Sequence, residues 1–365
     1  MAEVNIIAWL LLITPAVYLV VIFMLWLRLG RMSARHDSAS QDVFVSVVVA
    51  CRDEEKNLPA LLDDLAGQDY NPGKYEVIIV DDNSTDTTLE LASSFKGIWN
   101  YKVVSNQGRG KKSAIKNGIR ASKGELVLMT DADCRMGRGW IRSVVRAYAD
   151  GKPDLIISPV VLSNAAYFHG KFQQLDFLSL QGVTAASALA GKPFLCNGAN
   201  LAVPSRVYSR NSNNLHEELI SGDDIFLLQS IKKSGGKIAW NGDTESVVTA
   251  GAASGLLRFL RQRARWLSKA GAYDDKFSII ISFITLFTSV SLASLMVGSI
   301  SVPEIIPFLI AAFAMKSLPD LLILYSVTSY YKKKNLLWWF LPAQVLYPFY
   351  VITVLFFSLF RRQNW

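Results

Sequence analysis

GELVLMTDADC, residues Gly124–Cys134, is a short apolar run that ends in two acids one residue apart. A run of this length, too short for a membrane span and closed by polar residues, predicts a strand buried on both faces. In extended chain Asp131 and Asp133 point to the same side of the sheet, with Ala132 opposite. Two neighbouring carboxylates repel, and a hard divalent ion such as Mg²⁺ or Mn²⁺ relieves that repulsion through oxygen ligands. The plainer reading is a solvated turn whose acid caps the following segment, WIRSVVRAYAD (Trp140–Asp150).

The alternation of strand and helix extends upstream. VFVSVVVACR (Val43–Arg52) precedes Asn57–Gln68, where Leu58, Leu61, Leu62 and Leu65 recur at helical spacing. YEVIIVDD (Tyr75–Asp82) precedes TDTTLELASSF (Thr85–Phe95), and YKVVSN (Tyr101–Asn106) precedes KKSAIKNGIRASKG (Lys111–Gly124). The pattern predicts an α/β, Rossmann-like, mostly parallel sheet covered on both faces. Ligands of such sheets bind at the carboxyl ends of the strands. Those ends carry Arg52-Asp53-Glu54-Glu55, Asp81-Asp82-Asn83-Ser84 and Asp131-Ala132-Asp133, so carboxylates converge on one rim. Asp81 to Asp86 also has the composition of a helix-capping turn, and a tip carboxylate can accept from a base or ribose edge while its neighbours cap. Gly108-Arg109-Gly110-Lys111-Lys112 sets cations near a helix start, where anions bind, although a Gly/Lys loop can equally be solvated.

Outside this region the chain is apolar. Of its 365 residues 51% are hydrophobic and 19% charged, and its mean hydropathy is +0.26. Ile6–Leu27 carries no charge and at about 1.5 Å per residue spans a hydrocarbon core of roughly 30 Å. It is longer than a signal-peptide core, without a basic stretch before it or a small-residue cleavage site after it, so an uncleaved anchor is expected. Phe277–Ser301, Ile305–Tyr331 and Leu336–Phe360 are three further spans. Arg28, Arg31 and Arg35 after the first and Lys332, Lys333 and Lys334 after the third mark the cytoplasmic side. Arg361 and Arg362 then fall outside, against that tendency, and Pro342 and Pro348 leave a re-entrant last segment open. The expected division is an anchor (1–32), a cytoplasmic catalytic domain (33–253), an interface helix (254–275) and a C-terminal membrane region (276–365). Within the third span Lys316 and Asp320, four apart, are either a neutralised packed pair or the lining of a polar cavity.

Cys51, Cys134 and Cys196 have no metal-ligand spacing and read as reduced, buried thiols. The formal charge of +8 suits anionic lipid or an anionic substrate. The stretch just before Phe277 holds Arg258, Arg261, Arg263, Arg265 and Lys269 with no acid among them and reads as an amphipathic helix. Arg258, Gln262, Arg265 and Lys269 share one side, Leu256, Leu260, Ala264, Leu267 and Gly271 the other, and Phe259 and Trp266 a boundary. Such a helix leading into a span is interfacial, with Arg261 and Arg263 expected to hold it at the membrane, and no nucleic-acid module accompanies it.

Taken in order, VSVVVACRDEEKNL, VIIVDDNSTDT, GKKSAIKNGI, DAD, NGAN, GDDIFLL and QRARW resemble the membrane-embedded branch of the inverting family-2 glycosyltransferases, which includes cellulose, chitin and hyaluronan synthases and ceramide glucosyltransferases. The resemblance covers about Val43 to Lys269 and implies the GT-A form of the sheet. It further implies that Glu54 and Asp82 contact the nucleoside and that Lys111 lies near the nucleotide. Asp133, with Asp131, would face the metal, and Asp224, beside Asp223, would be the general base. Asn197 and Gly198 would line the acceptor site. Gln262, Arg265 and Trp266 match a Gln-x-x-Arg-Trp signature, with the Arg near the diphosphate and the Trp at the acceptor. A base, cations at the leaving phosphates and one displacement suit such a transfer, although Asp223 and Asp224 also read as an acidic helix start.

The expected partners are a nucleotide-sugar donor, UDP-linked by preference, a lipid or glycan acceptor and membrane lipids. Nucleic acid is not among them, and protein partners are left open. The expected location is a bacterial-type inner or plasma membrane. Few spans for a polymer channel favour a lipid acceptor over a growing polysaccharide. A non-catalytic nucleotide-sugar-binding subunit is the remaining alternative, and it would predict a lost acid or a broken signature, neither of which occurs.

Overall fold

A computed structural model describes residues 2–33, 42–212, 215, 216, 219 and 222–359, with the side chains of 2–5 and 270 excepted. Arg35, Arg361 and Arg362, read above as topology signals, lie outside the described residues. The chain forms two compact units: residues 2–30, 164–192 and 252–359 in one, and the described residues of 31–163 and 193–251 in the other. Residues 164–192, inside the stretch expected as a single catalytic domain (33–253), thus pack in the first unit.

The second unit is α/β. Its strands β1 (Val45–Cys51), β2 (Tyr75–Asp81), β3 (Tyr101–Ser105) and β4 (Leu126–Asp131) alternate with helices α2 (Leu58–Ala66), α3 (Thr88–Ser94) and α4 (Lys111–Ala121). After β4 come β5 (Arg135–Met136), α5 (Trp140–Ala149), β6 (Leu155–Ile157), β7 (Val160–Leu162), β8 (Leu201–Pro204), α7 (Ser205–Asn211), α8 (Asp223–Lys233), β9 (Ile238–Trp240) and β10 (Val248–Ala250). Among the described residues one sheet has the order β3-β2-β1-β4-β8-β6-β9 and a smaller one the order β5-β10-β7. β1, β2, β3 and β4 run parallel, whereas β8 is antiparallel to both neighbours. β2 is buried along its whole length, as unbroken apolar strands covered on both faces must be.

Close helix packing depends on one small residue. A Cβ at Gly118 of α4 would lie 2.4 Å from Val48 Cγ1 and 2.9 Å from Val80 Cγ2. At the amino end of the sheet, buried Glu76 accepts from Ser46 Oγ (2.7 Å), the Lys123 backbone N–H (2.5 Å) and Lys102 Nζ (3.1 Å). Burial pushes the Glu76 carboxyl up, but these hydrogen bonds outweigh it and hold the group below its ordinary range.

The first unit is helical: α1 (Ala2–Trp26), α6 (Phe168–Leu189), α9 (Leu256–Leu267), α10 (Lys276–Ser301), α11 (Ile306–Tyr330) and α12 (Phe340–Leu359). Four stretches, Ile6–Arg31, Lys276–Ser301, Pro303–Tyr330 and Lys334–Leu359, are long and apolar enough to cross a membrane. α12 runs unbroken past Pro342 and Pro348. Lys316 is buried and satisfied: its Nζ donates to Asp320 Oδ2 and Gln344 Oε1, each at 2.6 Å, and lies 4.0 Å from the Tyr347 ring centre. Tyr18 of α1 donates to the other Asp320 oxygen at 2.6 Å, so the pair joins α1, α11 and α12 as a neutralised, packed group.

α9 carries the correction to the helix reading. Phe259, Arg263 and Ala264 are its buried residues, while Leu256 and Leu257 are exposed. Arg263, expected at the lipid, falls with Leu260 and Leu267 on the inner side at about 100° per residue. There its Nη2 pairs with Asp176 Oδ2 of α6 at 2.7 Å.

Candidate active site

Register brings the strand tips together. Cys51 pairs with Asp81, Ala50 with Asp131 and Asp81 with Ser105, so the acids of β2 and β4 flank the end of β1. The chain then turns through two residues with left-handed backbone, Asp53 (φ 54°) and Asn83 (φ 59°), which only short polar side chains adopt readily. Hydrogen bonds hold both turns. Asp53 Oδ1 accepts from Thr85 N–H (2.7 Å) and Thr85 Oγ1 (3.1 Å), and Asp53 N–H donates to Ser84 Oγ (3.1 Å). Glu54 N–H donates to Thr88 Oγ1 (2.7 Å), and Glu55 Oε2 accepts from Thr87 Oγ1 (2.9 Å). Residues 52–55 and 83–88 therefore form one stitched rim.

Asp82 and Asp81 play different parts. Asp82 is 1% exposed, and its oxygens accept from Asn106 Nδ2 (2.6 Å) and from Gly110 N–H (2.9 and 3.0 Å). It anchors the loop before α4, where Gly110 has φ 92°, a conformation that favours glycine. Asn106 is the hub of that loop, since its Oδ1 accepts from Gly108 N–H, Ser113 Oγ and Asn117 Nδ2. Asp81 is also buried; its Oδ2 takes Ser84 N–H at 3.3 Å, while its Oδ1 has no hydrogen-bond donor. A buried acceptor left unfilled costs free energy, and an incoming N–H or O–H would restore it.

Lys111, first residue of α4, pairs directly with Asp131. Burial would lower its pKa, but the charges of Asp131, Asp223 and Asp224 hold the ammonium well above its usual range. Asp133 is pushed up by burial and by the Asp131 charge, and Glu54 by burial and by Asp133 and Asp131. Asp223 is raised by burial, with Asp224 and Asp131 adding to the effect. Glu54, Lys111, Asp131, Asp133, Asp223 and Asp224 thus share one electrostatic neighbourhood, the setting expected of a functional site. Gly251, which sequence reading missed, has its Cβ direction 3.0 Å from Asp133 Oδ2, so a larger residue there would crowd that acid.

Asp223 and Asp224 open α8 after Gly222, whose φ of 98° turns the chain into the helix. Asp224 Oδ2 accepts from Gly198 N–H (3.0 Å) and its Oδ1 from Ile225 N–H (2.8 Å), so the Asn197–Asn200 loop lies directly on the acid pair. Asn197 closes the turn on Ala199 N–H. Buried Asn200 fixes the loop from beneath, accepting from Trp140 Nε1 (2.9 Å) and donating to the Pro159 and Ser246 carbonyls. Gln262, Arg265 and Trp266 lie on α9 of the helical unit.

The family model for glycosyl transferase family 2 matches residues 46–208, the stretch from β1 into α7. A beta-monoglucosyldiacylglycerol synthase of a Nostoc species is 30% identical over 126 residues, 33% of this chain and 27% of that protein. An undecaprenyl-phosphate 4-deoxy-4-formamido-L-arabinose transferase of Aeromonas hydrophila is 38% identical over 111 residues, 29% of this chain and 34% of that protein. The chain spans well under half the length of the curated relatives it matches. A solved mannosyltransferase of Pyrobaculum calidifontis, in complex with GDP-Man and Mn²⁺, shares the fold over 98% of this chain and 99% of its own, with TM-score 0.57 and 18% identity. Residues 46–208 thus match the glycosyl transferase family 2 model, and the fold that carries them is a GT-A-like α/β arrangement.

Proposed function

We propose that the protein transfers a sugar from a nucleotide-sugar donor, UDP-linked by preference, to a lipid acceptor at the membrane, with inversion at the anomeric carbon. The observation that carries this reading is the Lys111, Asp131, Asp133, Asp223 and Asp224 cluster at the strand tips, with Gly198 N–H against Asp224. Two matched relatives are named for transfer involving diacylglycerol and undecaprenyl phosphate, which supports a lipid acceptor.

In this reading Asp224, oriented by two backbone N–H groups, takes the proton of the acceptor hydroxyl. The acceptor oxygen bonds to the anomeric carbon as the bond to the diphosphate breaks on the opposite face, so one displacement inverts the centre. Asp223 is the companion acid, and Asn197 and Gly198 border the acceptor. Glu54 keeps the nucleoside role implied by the resemblance, Asp82 supports it by anchoring the loop before α4, and Asp81 takes the direct contact because its Oδ1 is the acceptor left unfilled. Gln262, Arg265 and Trp266 keep the roles implied by the resemblance, Arg265 at the diphosphate and Trp266 at the acceptor.

Asp131 and Asp133 are the residues that would hold a divalent ion, Mg²⁺ or Mn²⁺. Among the described residues no group of three or more His, Cys, Asp or Glu is placed to hold an ion alone. The pair therefore fits an ion that completes its shell with phosphate oxygens and water. Bound there, it would neutralise charge on the leaving diphosphate.

Purified protein incubated with a panel of radiolabelled nucleotide sugars and membrane lipid extract should yield a labelled lipid. A long polymer would overturn the acceptor assignment, and no product with any donor would favour a binding subunit. Asp133→Asn and Asp224→Asn should each lower kcat by about 10²-fold or more; unchanged transfer in both would sink the mechanism.

A further inference from the structure

Arg263 stands within the Gln-x-x-Arg-Trp segment at a position that the signature leaves open. It is 5% exposed, although an arginine on an interfacial helix is normally at the surface. Its guanidinium lies among aromatic rings, 4.1 Å from the centre of Trp266, 5.1 Å from Phe259 and 5.9 Å from Phe177. Asp176 of α6 pairs with it at 2.7 Å, and Tyr350 Oη of α12 donates to the same Asp176 oxygen at 3.3 Å. Phe259 stacks on Tyr350 with ring centres 5.4 Å apart and planes 4° from parallel.

Three helices therefore spend buried polar and aromatic groups on one guanidinium. A buried pair of this kind is seldom the most stable filling, since apolar residues of the same volume pack at lower cost. None of the three guanidinium nitrogens of Arg263 has a hydrogen bond of good geometry, the Nη2–Asp176 contact being an ion pair, which adds to that cost. What the arrangement provides is orientation. A planar cation lying over an indole fixes the plane of that ring, and Asp176 on a separate helix fixes the cation.

We propose that Arg263, held by Asp176, is a positioning residue that sets the plane of Trp266. The proposal rests on the reading of Trp266 as an acceptor contact for its effect on transfer, but the contact itself is tested independently. A site whose reacting groups must be held closely loses rate when a positioning group is removed, without losing the ligands bound elsewhere.

The test uses the full-length protein in detergent. The emission of Trp266, obtained by subtracting the spectrum of Trp266→Phe, should change in intensity or wavelength in Arg263→Met. The half-saturating amount of solubilised membrane lipid extract should rise about tenfold, while half-saturation by the nucleotide sugar stays within about twofold. Arg263→Met with Asp176→Leu removes both buried charges, so it tests the same readouts if the single variant fails to fold. In Arg263→Met with Trp266→Ala the two losses should not add. An unaltered Trp266 emission, or losses that multiply, would overturn the positioning role. If Trp266→Ala alone leaves lipid saturation unchanged, the acceptor assignment of Trp266 falls instead, while the emission readout still decides the contact.

Discussion

At the scale of single residues, the types of side chain at the rim were legible but their division of labour was not. Asp81 and Asp82 are adjacent and chemically identical. Only the fold shows that Gly110 N–H and Asn106 fill Asp82 while one oxygen of Asp81 has no donor. Such a difference depends on where loop backbone lands, which side-chain spacing does not encode. Asn106 escaped notice for the same reason, although a polar residue closing an apolar strand was a usable signal, and Asn200 was legible only as part of the NGAN loop and not as its buried brace. Glu76 gives a residue-scale prediction. Its folded pKa lies below the unfolded value of about 4.3, so its stabilisation is complete above that pH and is lost as pH falls through the lower folded value. Glu76→Gln should therefore flatten the acid limb of thermal unfolding below about pH 4.3. A limb as steep as in the parent would exclude Glu76 as a contributor. Lys316→Met strands Asp320 in the helical core and should cost about 3–5 kcal/mol. Adding Asp320→Leu should recover most of that loss in the unfolding midpoint measured in detergent.

At the scale of elements, the first four strands and their helices could be read because β1, β2 and β4 are largely apolar runs and β3 a shorter, half-buried one, each with a helical segment behind it. From β6 onward that signal fails. The strands shorten to Leu155–Ile157, Val160–Leu162 and Ile238–Trp240, and α6 is buried through glycine, serine and glutamine as much as through large apolar side chains. Small residues there serve close approach: a Cβ at Gly182 would lie 2.6 Å from Ile323 Cγ2 of α11. On α9 the wheel identified an inner face, but the partner that admits Arg263 to it, Asp176, lies far away in the sequence. Gly118→Val tests the α4 contact, since the added methyls collide with Val48 and Val80. Overpacking of this kind typically costs about 1–3 kcal/mol, so the unfolding midpoint should fall accordingly. An unchanged midpoint would mean that α4 shifts freely.

At the scale of the whole chain, four long apolar helices were evident from composition, and the α/β class from alternation. The expected topology sets Lys332 on the cytoplasmic side and Glu304, between α10 and α11, on the other. With Cys196 replaced by Ser, a cysteine at Glu304 should react with an impermeant maleimide on intact cells, and one at Lys332 only after permeabilisation; the reverse pattern would invert the topology. What composition did not reveal is that residues 164–192, including α6, leave the α/β unit between β7 and β8. Yet β8 lies between β4 and β6 in the large sheet. During synthesis the sheet must therefore wait, open along the β4 edge, until α6 has emerged and the chain has returned at residue 193. Non-local closure of this kind is slow and leaves an unpaired edge exposed meanwhile. Cutting the gene at 33 and 253 would yield a fragment carrying α6 without its helical neighbours, an aggregation-prone product rather than a soluble catalytic core.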